Sequence, residues 1–300
     1  MGYRGKRAAR FRRAAGAGAL ALAGALLWCA WGLWSSCHDP VVRRWQVPLP
    51  GISQPVRLAV LSDLHDWTFG DGNDVLEELT AAQEPDLILL DGDLLNADSK
   101  DSRRVCALVQ ALRRIAPVYY AWGNHELVYL ERGTSPLKEE LEAAGALVLD
   151  REYTDLEVRG SAIRLGGLYD YAFARDDTCS CDPAHMDPDV VSFLREFQDT
   201  ERCRILLSHR PDSFVFGAAS ATWGVDLVIS GHGHGGQVVL PLLGGIWGGD
   251  QGLFPAYVHG LYEKDAMRLA ITSGLGTQRE SLPRFRNPPE IMILELESAA

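Results

Sequence analysis

The amino-acid sequence predicts an α/β fold standing behind an N-terminal transmembrane helix, and three observations carry that expectation. From about residue 56 onward, short apolar runs alternate with stretches of helical periodicity, the pattern of right-handed strand–helix–strand crossovers. Ahead of them, the 21 residues from Ala14 to Trp34 carry no charge, enough as a helix to cross the ~30 Å hydrocarbon layer. Finally, metal-ligating residue types recur just past the ends of the apolar runs. With 300 residues, 47% hydrophobic and 23% charged, the chain can bury one large core and is neither disordered nor disulfide-dense.

Taken in order, residues 1–13 hold six basic residues (Arg4, Lys6, Arg7, Arg10, Arg12, Arg13) and no acid. They outnumber Arg43 and Arg44 beyond the apolar run, so the positive-inside rule places the N terminus in the cytoplasm and the body outside. Trp28, Trp31 and Trp34 crowd the far end of the run, the interfacial position that Trp prefers. A cleaved signal peptide has an apolar region of ~7–15 residues and a small-residue cleavage site. No such site follows Trp34, and an uncleaved signal anchor over 14–34 is the expectation.

Residues 35–55 read as a linker and first strand, with Pro40, Pro48, Pro50 and Pro55 excluding a helix. The runs Val56–Ser62, Leu87–Leu90, Val118–Trp122, Ile205–Ser208 and Val225–Ser230 suit buried strands. Helical periodicity appears at about 74–83, 101–114, 136–144 and 188–199. Tyr153–Val158, Ile163–Leu168, Met267–Ser273 and Ile291–Leu296 read as antiparallel strands.

The net charge of −11 conceals an asymmetry, since the six N-terminal cations leave −17 on the remainder. So acidic a body excludes binding driven by neutralising nucleic-acid phosphates. Of six cysteines, Cys179 and Cys181 stand near His185 in a polar stretch, short of a zinc pattern. A loop disulfide or two free thiols is the favoured reading, and an external body favours a disulfide somewhere.

The chemistry gathers at strand ends. Asp63 and His65 follow the first strand of the body, Asp93 the second, and Asn124 and His125 the third. His209 follows Ile205–Ser208, and His232 and His234 follow Val225–Ser230. The carboxyl ends of strands in an open α/β sheet are where ligands bind, so these groups are expected in one crevice. Carboxylates, imidazoles and an Asn carbonyl are the ligand set of divalent metals. Seven such groups exceed what one ion accepts, whereas two ions sharing a carboxylate fit the count.

Asp63-x-His65, Gly92-Asp93, Gly123-Asn124-His125-Glu126, His209 and Gly231-His232-x-His234 resemble, in identity, order and spacing, the calcineurin-like metallophosphoesterases. Leu253-Phe254-Pro255, Ser273-Gly274-Leu275-Gly276 and the Arg284–Glu290 segment look like the bacterial membrane-associated branch. The resemblance implies a two-sheet mixed β-sandwich flanked by helices in four layers, α/β/β/α, over residues 56–298. It implies Asp63, His65 and His234 on one metal, Asn124, His209 and His232 on a second, and Asp93 bridging them. His125 matches the non-ligand histidine facing the substrate phosphate.

The reaction so implied is hydrolysis of a phosphodiester or phosphomonoester. Two cations ~3.5–4 Å apart generate a bridging hydroxide that attacks phosphorus in line, with His125 stabilising the phosphoryl oxygens or protonating the leaving group. Mn, Fe, Zn, Ni or Co would each suit the ligands. The anchor points to a lipid phosphate, lipid diphosphate or envelope phosphodiester as substrate. A rival class, a catalytically silent metal-binding scaffold at the membrane, usually lacks some of these residues, and none is missing here. Glu126 reads either as a partner of the site or as an exposed helix-start carboxylate, Asp91 as a carboxylate partner for a ligand histidine, and Arg284 and Arg286 as a phosphate fork or a solvated loop.

Overall fold

The computed structural model describes residues 2–276 and 283–299, with side chains from residue 15 on. The basic side chains of the predicted 1–13 tail lie outside the described residues. In chain order the chain forms α1 (Gly2–His38), β1 (Val41–Leu49), β2 (Val56–Leu61), α2 (Asp74–Ala81), β3 (Leu87–Asp91), α3 (Arg103–Leu112), β4 (Val118–Ala121), α4 (Asn124–Glu131), α5 (Leu137–Ala144) and β5 (Ala146–Leu149). There follow β6 (Glu152–Val158), β7 (Ser161–Gly167), α6 (Pro188–Gln198), β8 (Cys203–Leu207), α7 (Asp212–Val215), α8 (Ala219–Thr222), β9 (Leu227–Ser230), β10 (Val239–Leu240), β11 (Gly244–Gly245), β12 (Gly260–Lys264), β13 (Met267–Ile271) and β14 (Glu290–Ser298).

Two six-stranded sheets stack face to face, one ordered β1-β14-β2-β3-β4-β5 and the other β12-β13-β9-β8-β7-β6. Their inner faces share one core, in which Leu58, Leu89 and Leu294 meet Leu165, Ile205 and Ile229. The outer face of the first sheet packs Ala59, Leu61 and Ile88 on Val105 and Leu108 of α3 and Leu141 of α5. The outer face of the second packs Leu206 and Val228 on Val190, Leu194 and Phe197 of α6. This is the four-layer arrangement, and it explains why β2, β3 and β9 read as unbroken apolar runs: both faces of each are covered. Leu58→Ala would open a cavity between the sheets and cost about 2–5 kcal/mol.

The helices follow their sequence cues. In α3 the buried residues Val105, Leu108, Val109 and Leu112 recur at three- and four-residue spacing, which makes one apolar stripe. Helix α6 starts at Pro188, where the Asp187 side chain accepts the Asp189 N–H, an N-cap followed by proline at the first helical position.

Strand direction departs from expectation. β7 pairs antiparallel with β6 but parallel with β8. β13 pairs antiparallel with β12 but parallel with β9, and β14 is antiparallel to β2 but parallel to β1. A strand with two covered faces shows the same residues whichever way its neighbours run. Helix α1 continues to His38, and only Asp39 and Pro40 separate it from β1. Its residues Ala15–His38 form a span apolar and long enough to cross a membrane.

Candidate metal centre

Strands β2, β3 and β4 run parallel in the first sheet, and β8 and β9 run parallel in the second. Their carboxyl ends meet where the Asp63 carboxylate of the first sheet accepts the His232 N–H of the second at 3.1 Å. The loops that leave β2, β3 and β9 turn sharply to aim their side chains back at that edge. Asp63, His65, Asp93, His232 and His234 accordingly sit at φ of 54°, 51°, 53°, 62° and 43°. A left-handed backbone costs a non-glycine residue about 1–2 kcal/mol, and hydrogen bonds offset it: His65 N–H donates to Asp93 O at 3.0 Å, and Asn287 Nδ2 donates to His234 O at 2.6 Å. At Gly231 the approach is so close that a Cβ would stand 2.2 Å from Ser62 Oγ and 2.3 Å from Asp63 Oδ2.

The side chains fall into overlapping groups. Asp63, His65 and His234 form one, and Asp93, His209 and His232 another, with the ligand atoms of each within 4.8 Å of one another. Asp93 also groups with His65 and His125, so its carboxylate faces both sides. His209 Nε2 lies 3.2 Å from Asp93 Oδ2, and His234 Nε2 lies 3.6 Å from Asp63 Oδ1. Asn124 opens α4 beside them, with a buried Oδ1.

These atoms lack ordinary partners. His65 Nε2, Asn124 Oδ1, His232 Nδ1 and both ring nitrogens of His234 are buried without a hydrogen bond, and His209 Nε2 and Asp93 Oδ2 meet each other only as an ion pair at 3.2 Å. Leaving so many polar atoms unsatisfied is costly in a closed fold, and divalent cations would satisfy a donor set of this chemistry. The residues therefore fit a two-metal centre.

Charge follows the geometry. Burial alone would lower His209, yet Asp93 and Asp63 outweigh it and raise the imidazole to about 10. Burial opposes ionisation of Asp93, but His209, His65 and His125 hold its carboxyl well below the usual range. Burial pushes Asp63 up to about 6 and Asp91 up to about 8. Burial likewise lowers His65 to about 4 and, with His209 beside it, His232 to about 3. Neutral imidazole is the ligating form, so an ion bound there would displace the second proton of His209.

A supporting layer fixes the rings. His209 Nδ1 lies 2.7 Å from Asp91 O, which keeps the proton on Nδ1 and turns Nε2 to the centre. The expected carboxylate partner is thus the main-chain carbonyl of Asp91, while both of its carboxylate oxygens are buried without a hydrogen bond. His65 Nδ1 meets Asn96 Oδ1 at 3.2 Å in the same way. His125 accepts the Ala97 N–H on Nδ1 at 3.0 Å, so the neutral ring carries its proton on Nε2.

Glu126 is buried, not an exposed helix-start carboxylate. It accepts the N–H groups of Asp93, Leu94 and Gly123 at 2.7, 2.8 and 3.0 Å and the Tyr120 hydroxyl at 2.7 Å. Its bond to the Gly123 N–H is the N3 half of a capping box, the other half being absent because glycine has no side chain. Asn96 and Asn287 were not singled out by sequence, since each works through contacts with distant segments.

Arg284 is no phosphate fork. It is fully buried and donates to the carbonyls of Asn287, Gly276 and Ser273 at 3.0, 2.7 and 2.7 Å. Nor does a disulfide form: all six cysteines are free, and Cys179 and Cys181 pack against the α6-side core.

A family model described as calcineurin-like phosphoesterase matches residues 56–236. An uncharacterized metallophosphoesterase of Helicobacter pylori is 28% identical over 277 residues, covering 91% of this chain and 68% of that protein. The Bacillus subtilis metallophosphoesterase YkuE is 30% identical over 220 residues, covering 72% and 69%. The Escherichia coli phosphodiesterase YaeI is 27% identical over 245 residues, covering 81% of this chain and 82% of that protein. The chain spans about two thirds of the length of the first two.

Proposed function

The chain belongs to the calcineurin-like phosphoesterases, metal-dependent phosphohydrolases, and from that premise we propose that it is a membrane-anchored enzyme with two divalent ions. Asp63, His65 and His234 hold one ion, Asn124, His209 and His232 the other, and Asp93 is shared. The observation that carries this reading is the set of buried ligand atoms, from both sheets, that face one another and mostly lack hydrogen bonds. When bound, such a pair of ions supplies a nucleophilic water near neutral pH and neutralises charge on phosphoryl oxygens.

The chain's own residues do the rest. Asp91 O and Asn96 Oδ1 aim the rings of His209 and His65. Glu126 fixes the backbone of the shared Asp93. His125 presents an Nε2 proton, which hydrogen-bonds a phosphoryl oxygen and passes to the leaving alkoxide.

Helix α1 anchors the body to the cell membrane in a single pass, with the N terminus cytoplasmic and the catalytic domain outside. The substrate is a phosphate ester of the envelope, a lipid phosphate or lipid diphosphate, and no nucleic acid is bound. The test uses the full chain in detergent, stripped by chelator and reloaded with Mn or Zn, acting on bis(p-nitrophenyl) phosphate and p-nitrophenyl phosphate. Turnover should require metal and collapse in His209→Ala. His125→Gln should impair alkyl esters more than nitrophenyl esters, because nitrophenolate leaves without a proton. Metal-independent turnover, or equal losses on both ester types, would contradict these roles.

A further inference from the structure

The segment that follows His234 is unlike the rest of the body. From Gln237 to Gly249 it carries no charged residue, in a protein whose net charge is −11. β10 and β11 form a hairpin whose tip stands in the open, with Leu242 fully exposed and Leu243 62% exposed. Trp247 is exposed on the same segment, and Leu253 and Phe254 just beyond it, past Asp250, whose carboxylate turns back to the Tyr171 hydroxyl and Arg210. Large apolar side chains gathered in this way mark an interaction surface.

What covers it follows from where its base is attached. Phe285 N–H donates to Gln237 O at 3.1 Å, and Val239 N–H donates to Phe285 O at 3.0 Å. The Phe285 ring meets Trp28 of α1 edge-on at 5.6 Å and closes on Gly32, where a Cβ would stand 2.8 Å from it. Arg286 lies 4.9 Å over the Trp28 ring, and Asn287 N–H donates to Ser36 Oγ at 3.0 Å. Trp28, Gly32 and Ser36 recur at four-residue spacing, one stripe of the helix. Trp28 stands ten residues before the helix end, about 15 Å along the axis, in the belt with Trp31 and Trp34 that settles at headgroup depth. The body is therefore clasped to α1 at that depth, and the hairpin joined to the same loop shares it.

We propose that residues 239–254 form a second membrane contact, inserted at the headgroup and acyl boundary beside α1. This rests on reading α1 as an anchor. It holds the loop of His232 and His234 against the bilayer surface, so that the centre takes phosphate groups carried by lipids of that leaflet.

The test places p-azidophenylalanine singly at Leu242, at Leu22 within the apolar span and at Arg159 on the β6–β7 turn. Each full-length chain is reconstituted in phosphatidylcholine–phosphatidylglycerol vesicles, illuminated and analysed for lipid adducts by mass spectrometry. Adducts at 22 and 242, and at least tenfold fewer at 159, are the expected result. Adducts at 22 without 242 would overturn the second contact and leave the anchor standing. Chain-to-chain adducts at 242 would assign the surface to a second copy instead. Absence of adducts at both 22 and 242 would remove the anchor reading and the proposal together.

Discussion

Glu126 holds Asp93 by its backbone: the buried carboxylate accepts the Asp93 N–H at 2.7 Å from across the gap between β3 and α4. The carboxylate that faces both groups of ligands thus owes its position to a residue that faces neither. Glu126→Ala leaves the N–H groups of Asp93, Leu94 and Gly123 buried and unpaired, at about 1–3 kcal/mol each. A large fall in thermal midpoint, with bound metal lost in parallel, is expected from calorimetry and elemental analysis of the full chain. A variant of unchanged stability and full metal content would contradict the clamp.

Asn96 acts more selectively. Its Oδ1 faces His65 Nδ1 and its Nδ2 donates to His65 O at 2.9 Å. Outer-shell partners of this kind are worth 10–100-fold in metal affinity. Asn96→Ala should weaken metal binding within that range in a chelator competition while the circular dichroism spectrum stays unchanged.

Arg284→Met distinguishes a structural arginine from a phosphate-binding one. Removing the guanidinium strands carbonyls of Ser273, Gly276 and Asn287 that it now satisfies, and stability should fall by several kcal/mol. A rise in KM with an unchanged thermal midpoint would instead return Arg284 to substrate binding.

Glu290 supplies a pH dependence. Burial works against its ionisation, but the His259 hydrogen bond at 2.6 Å, the His259 charge and Arg43 hold it below its ordinary 4.5. A carboxyl with a depressed folded value contributes stability that is complete above the unfolded value and disappears as pH falls through the folded one. The advantage of wild type over Glu290→Gln should therefore be present at about pH 5 and shrink as pH falls below 4.5. Equal differences at pH 7 and pH 3 would contradict the sign.

Much of this was legible in the sequence because the chemistry and the strands share positions. Asp63, Asp93, His209 and His232 stand just past apolar runs, and a strand end in an α/β sheet is a place in space. The roles of Asn96 and Asn287 were hidden because they act on segments far off in the chain, and that of Arg284 because its spacing from Ser273, Gly276 and Asn287 does not show that their carbonyls turn inward onto it. Glu126 lay between, marked by its place beside His125 at a helix start but silent about its burial. Strand direction in β7, β13 and β14 was not legible, since covered strands lack the polar face that distinguishes their neighbours.

The central claim is that two ions share Asp93, and metal equivalents bound per chain test it most directly. Equilibrium dialysis of the full chain against Mn, followed by elemental analysis, should give about two ions per chain for wild type. Asp93→Ala should bind less than one, because both groups lose a ligand. A wild type that saturates at one ion, or an Asp93→Ala variant that keeps two, would contradict it.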